Sequence, residues 1–144
     1  PGDYLNMGPD GRERCIVFVD FPGEVSVKQR TSHFDRIEVP FRVVAWFNEK
    51  ALEYSGSADR MGGMVASIVS ALKGADFATT GFSGCKTAYT GLSTMPEKIW
   101  GAYGIGPETG HFALPYRTFA VYFTLKAHVF KCADYAIENA ASVC

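Results

Sequence analysis

The sequence predicts an α+β fold, a mainly antiparallel sheet with one main amphipathic helix packed on it. Three observations predict it. Residues 36–50, "RIEVPFRVVAWFNEK", alternate: Ile37, Val39, Phe41, Val43, Ala45 and Phe47 take one face of an extended chain. Residues 115–131, "PYRTFAVYFTLKAHVFK", alternate in the same way, with Phe119, Val121, Phe123, Leu125, Ala127 and Val129 on one face. Between them the period changes. Met61, Met64, Val65, Ile68, Val69 and Leu72 recur at the three- and four-residue spacing of a helix. At 144 residues, 47% hydrophobic and 14% aromatic, the chain is sized for a single domain, 1–144, with a sizeable core and a sheet-rich fold.

The elements follow in order. "PGDYLNMGPDGRE", residues 1–13, is rich in Gly, Pro and Asp and reads as a flexible arm. "RCIVFVDFPG" is a short apolar strand closed by Pro22 and Gly23, with Cys15 as a small core residue. "EVSVKQRTSHF" alternates weakly, as a second strand or a long connection. In the strand over 36–48, Pro40 has no N–H to donate, so that end is expected at a sheet edge, a bulge or a strand start.

The helix has Ser57 or Asp59 to cap its start, Lys73 in its last turn and Gly74 beyond it. Gly62 and Gly63 cost it roughly 1 kcal/mol each. They stand either for a close backbone approach or for a late helix start. "GFSGCKTAYTG" is a further strand, and 91–116 reads as a long loop without a clean period. That loop carries Trp100, Tyr103, Ile105 and Phe112, so it is expected to pack on its own domain or on a neighbour. The strand over 117–130 follows, and "KCADYAIENAASVC" ends the chain as a short helix or tail.

Charge and motifs exclude more than they assign. Fourteen basic residues against fifteen acidic argue against broad capture of nucleic acid or anionic membrane, while leaving room for a local patch. No apolar run approaches the ~20 residues of a membrane span, and no signal peptide is visible, although a chain opening on Pro1 leaves an upstream segment open. Cys15, Cys85, Cys132 and Cys144 form no C-x-x-C pair beside a His cluster, so free thiols fit better than a metal site or a disulfide framework. "GAYGIGPETG" contains G-I-G without the remaining spacing of a dinucleotide loop, and no GK[ST] follows, so no cofactor is expected. Nothing places His33, His111 or His128 beside Cys85 or Cys132, and Glu97, Glu108, Asp134 and Glu138 read as solvated surface rather than a catalytic pair.

Both long strands are also partly apolar on their second faces, where Val44 and Trp46 stand beside Glu38 and Arg42, and Ala120 and Tyr122 beside Phe130. One long helix cannot cover two faces. Either a helix covers part of the second face, or a neighbouring subunit does.

The order of "IEVPFRVVAWFNE", "ADRMGGMVASIVSALKG", a short strand, an extended loop and "RTFAVYFTLKAHV" resembles the tail-terminator and tail-completion proteins of long-tailed bacteriophages over about residues 36–130. Two features depart from that pattern: residues 1–13 stand where the family opens with a helix, and 91–116 is longer than its hairpin. The resemblance implies a homo-oligomeric ring, usually a hexamer, that ends tail-tube growth and joins tail to head. It implies a virion component assembled in the host cytoplasm, partnered by other tail or connector proteins. It implies no enzyme, no cofactor, no membrane and no specific nucleic-acid binding. The expected interface residues are Trp100, Tyr103, Ile105 and Phe112 of the loop, with Trp46 and Tyr122 on the strands' second faces. Two other readings stand beside it: a small ligand-binding α+β domain with an aromatic-lined pocket, and a Cys/His enzyme.

The cysteine spacing yields one test. Dialysis against a strong chelator should leave the melting temperature unchanged; a large drop would reveal a metal site that the sequence conceals.

Overall fold

The computed structural model describes residues 15–49, 60–73, 82–104 and 115–131. These form a mostly antiparallel sheet with two short helices. β3 (Phe34–Asn48) and β5 (Tyr116–Phe130) are its centre, fifteen residues each, paired without a break from Phe34↔Phe130 to Asn48↔Tyr116. β1 (Cys15–Asp20) and β2 (Ser26–Arg30) lie end to end along the other side of β3. β4 (Phe82–Ser93) pairs with the far side of β5 and shifts register twice, between Ser83 and Lys86 and between Tyr89 and Gly91. The order across the sheet is β1/β2, β3, β5, β4.

Because β3 and β5 run in unbroken register, their odd-numbered residues share one face. Phe41, Val43, Ala45 and Phe47 meet Phe119, Val121 and Phe123 there as the main core, and the Phe41 and Phe123 rings stack at 5.3 Å. The helix α1 (Arg60–Lys73) lays Met61, Met64, Val65, Ile68, Val69 and Leu72 on this cluster, each partly buried. Thr87 of β4 donates its hydroxyl to the Leu72 carbonyl at 2.6 Å, which ties the last turn of α1 to the sheet. At the strand turn, Thr31 accepts from the Phe34 N–H through its hydroxyl oxygen and donates to the Phe34 carbonyl, closing β2 onto β3.

Three sequence expectations change. Pro40 lies inside a central strand, not at an edge, bulge or start. β2 pairs with residues 35–38 and β1 with 42–47, so no ladder residue faces Pro40 on that side of β3. The connection between β1 and β2 packs into the gap: a Cβ added at Gly23 would stand 2.8 Å from Pro40 Cγ, so only glycine passes there without displacing the ring. The second concerns Gly62 and Gly63. The helix already runs from Arg60, so neither glycine marks a late start, and nothing lies within 4 Å of a Cβ placed at Gly63. The third concerns residues 91–116. The first three continue β4, α2 (Pro96–Trp100) followed by a 3-10 turn (Gly101–Tyr103) fills 96–103, and 105–114 lie outside the described residues. Pro96 stands in the first turn of α2, where a missing N–H costs nothing. The cap residues Ser57, Asp59 and Gly74, the arm 1–13 and the terminal segment from Cys132 lie outside the described residues.

The core assignment is measurable. Phe123→Ala should lower stability by about 3–5 kcal/mol, because a fully packed ring leaves a cavity. Leu72→Ala, at a partly buried helix position, should cost roughly 1–2 kcal/mol. Urea midpoints at constant slope would show both; an unchanged midpoint for Phe123→Ala would refute this core.

Candidate functional site

The even-numbered face of β3 and β5 is where chemistry-bearing residues gather. At its upper half Val44, Trp46 and Ala120 form a second buried cluster, and α2 closes it with Ile99 and Trp100. Phe18 of β1 and Tyr122 pack at the margin. The Trp100 ring lies 5.5 Å from Trp46, 5.7 Å from Phe18 and 6.0 Å from Tyr103. Its indole N–H donates to the Thr118 hydroxyl at 3.1 Å, and that hydroxyl donates to the Ala45 carbonyl at 2.9 Å. Trp100 is thus held by both packing and a buried relay to the two central strands.

Beside this cluster stands Arg42, only 3% exposed. Strand register places it opposite Asp20, the last residue of β1. Its Nε donates to Asp20 Oδ2 at 2.7 Å, and its NH2 nitrogen lies 2.7 Å from the same oxygen. The guanidinium also donates to the Ile99 carbonyl at 3.0 Å and, more weakly, to the Lys98 carbonyl at 3.5 Å. Those are carbonyls at the C-terminal end of α2, which a helix leaves without internal partners and where a cation is favoured. The Tyr103 and Tyr122 rings lie 5.9 and 6.0 Å from the guanidinium carbon.

Opposing effects set the protonation of this group. Burial pushes the Asp20 carboxyl up, but hydrogen bonds from Tyr103 and Arg42, and the charge of Arg42, outweigh it and hold the carboxyl below its ordinary value. Burial works against the Arg42 charge too, and hydrogen bonds with Tyr122, Tyr103 and Asp20 overcome it, keeping Arg42 protonated at any ordinary pH. Tyr103 is pushed up, first by burial and then by its hydrogen bond to Asp20, so its phenol stays neutral. The result is a charge-balanced clamp. The donors of Arg42 are committed to a carboxylate, two carbonyls and tyrosine oxygens, which leaves little capacity to hold a substrate anion.

The expected interface residues therefore separate. Trp46 and Trp100 are buried in the chain's own second cluster and present almost no surface. The helix that sequence reading could not find covers them. Tyr122 is half-buried beside Arg42, whereas Tyr103 is exposed on the 3-10 turn. Ile105 and Phe112 lie outside the described residues, as do His111, Cys132 and Cys144. Burial pushes the Cys15 thiol up, which makes it a poor nucleophile. Among the described residues no three His, Cys, Asp or Glu side chains converge on a point that could hold a metal ion. No described helix is long and apolar enough to cross a membrane.

The Arg42–Asp20 clamp was not foreseen in the sequence. Arg42 could be read only as a polar residue on a partly apolar face, and its partner lies 22 residues away. Comparison with family models, with curated proteins and with solved structures finds no match to this chain.

Two outcomes test the clamp. Asp20→Ala should cost about 3 kcal/mol because it strands a buried guanidinium, while a double replacement with Leu at Asp20 and Met at Arg42 should recover much of the loss. The pH dependence has a definite sign. The folded carboxyl of Asp20 lies below its ordinary value of 3.8, so its stabilisation is complete above that value and is lost as pH falls through the lower folded one. The gap in urea midpoint between the natural protein and Asp20→Asn should hold steady down to about pH 5 and close below about pH 4. A gap that widens on acidification would contradict the pairing.

Proposed function

We propose that this protein is a structural, self-associating component of the tail-terminator kind, acting as a ring rather than as an enzyme. The observation that supports this most is an apolar strip on the odd-numbered face. β1 and β2 carry Val17, Val19 and Val27 on that face, and the connection between them carries Phe21 and Val25. Val17 and Val19 are 55% exposed and Phe21 is 64% exposed. In this reading α1 is the main amphipathic cover of the odd-numbered face. It touches β4 and β5, on the far side of the sheet from β1 and β2.

Val17, Val19 and Phe21 follow one another along β3, and a run of apolar side chains in water is costly for a monomer and suited to a covered interface. A closed ring needs a heterologous contact, in which this strip meets a different surface of the next subunit. The opposite sheet edge offers one, because Tyr89 and Leu92 of β4 are also exposed. Other tail or connector proteins would then meet the ring's ends, and the finished assembly would reside in the virion after forming in the host cytoplasm. Tyr103, exposed on the 3-10 turn, remains available as a further contact. The clamp at Arg42 serves this reading as rigid support for the sheet.

Native mass decides. Sedimentation or native mass spectrometry at high protein concentration should show a species several times the 15.7 kDa chain. Val19→Asp, an exposed change that leaves the core intact, should shift it to the monomer with an unchanged circular-dichroism spectrum and a melting temperature that no longer depends on concentration. A protein that stays monomeric at all concentrations, alone and with tail tubes added, would refute the reading.

A further inference from the structure

Among the described residues no helix covers the lower half of the even-numbered face, beyond the reach of α2, and its composition differs from the rest of the sheet. Strand register places Ser26, Glu38, Lys126 and Lys86 in one row across the strands, and Gln29, Arg36, His128 and Ser83 in the next. Lys28, at the shift in β2, reaches the same surface, since its Nζ lies 3.6 Å from Glu38. Glu38 also meets Lys126 at 3.7 Å. Among the described residues this gives four cations, Lys28, Arg36, Lys86 and Lys126, around a single carboxylate. Glu38 can balance only one of these four charges, so the strip carries local positive charge although the chain as a whole is near neutral.

Two features say that the strip is not a neutral solvated surface. Lys86 stands directly opposite Lys126 on neighbouring strands, a like-charge pairing that costs stability and that Glu38 offsets only at Lys126. Aromatic side chains adjoin the cations. Phe34 and Phe130 are paired in the row beyond, on the same face, with Phe130 exposed. The Phe34 ring meets His128 edge-on at 4.8 Å. Cations spread over three strand spacings, roughly 14 Å, beside an exposed ring supply both parts of a single-strand platform: charge for the phosphates and a surface for a base to stack on.

We propose that this strip binds single-stranded nucleic acid through its backbone, without sequence preference. The cations at Lys28, Arg36, Lys86 and Lys126 track phosphates, and Phe130 stacks a base. This inference is independent of ring formation, because the apolar strip lies on the opposite face.

Fluorescence anisotropy with a labelled oligothymidylate of about 20 nucleotides tests it on the full chain. Binding should weaken with salt, with a log–log slope near −3 if all four cations are engaged. Lys86→Ala with Lys126→Ala should reduce that slope by about 1.4. Phe130→Ala should weaken binding about tenfold while leaving the slope unchanged. All three positions are at least partly exposed, and circular dichroism of the variants should match the natural protein. No binding at about 50 mM salt would overturn the proposal. So would binding of polyglutamate that matches the oligonucleotide and is indifferent to Phe130→Ala, which would make the strip a dock for acidic protein. Tighter binding of duplex than of single strand, again indifferent to Phe130→Ala, would likewise overturn it.

Discussion

The unbroken ladder between β3 and β5 is the constraint on which everything else depends. Fifteen residues pair with fifteen, from Phe34↔Phe130 to Asn48↔Tyr116, with no bulge to exchange the faces. A one-residue slip would turn every core side chain to the opposite side, so a register this long is strongly specified by the apolar alternation of both strands. The other strands are more irregular. β2 and β4 both shift register against their partners, and β1 and β2 divide one side of β3 between them. The two central strands can bear this because each is paired on both sides.

The two faces are completed by different physics. On the odd-numbered face a helix contributes partly buried aliphatic side chains to a core of phenylalanine and valine, and burial of apolar area is the main stabilising effect. On the even-numbered face the cover is a single turn of helix, too short to be stable by itself. It is kept in place by burial of Ile99 and Trp100 together with specific polar contacts: the Trp100 indole to Thr118, and the Arg42 guanidinium to the carbonyls of Lys98 and Ile99. A buried arginine is costly unless paired, and Asp20 supplies the pair. The end of β1, the centre of β3 and the end of α2 are thereby bound into one unit.

What neither cover reaches divides by chemistry. The odd-numbered face leaves an apolar strip at Val17, Val19 and Phe21; the even-numbered face leaves a basic strip at Arg36, Lys86 and Lys126. A sheet that is half-covered on both sides can thus support two separate contacts, one driven by removal of apolar surface from water and one by neutralisation of charge. The ring reading uses the first strip and the nucleic-acid proposal uses the second. Neither uses the Arg42 donors as a binding site, because they are already occupied within the chain.

The sequence by itself determined the two long strands, their faces and the segment that becomes α1, because each follows from a local period that burial enforces. Phe41, Val43, Phe119, Val121 and Phe123 were legible as core on that ground alone. It did not determine α2. Five residues, "PEKIW", hold too little periodicity to register, and their helical state rests on Arg42 and Thr118 far away in the chain. For the same reason Trp46 and Trp100 looked like surface for a neighbour, although the chain itself buries them. Pro40 is tolerated inside a central strand because of where β1 and β2 stop, which only strand pairing sets. The partnership of Arg42 with Asp20 and the meeting of Lys86 with Lys126 were decided by tertiary structure alone. Register brings together residues that lie 22 and 40 positions apart, and no local pattern encodes which charges will face each other across a ladder.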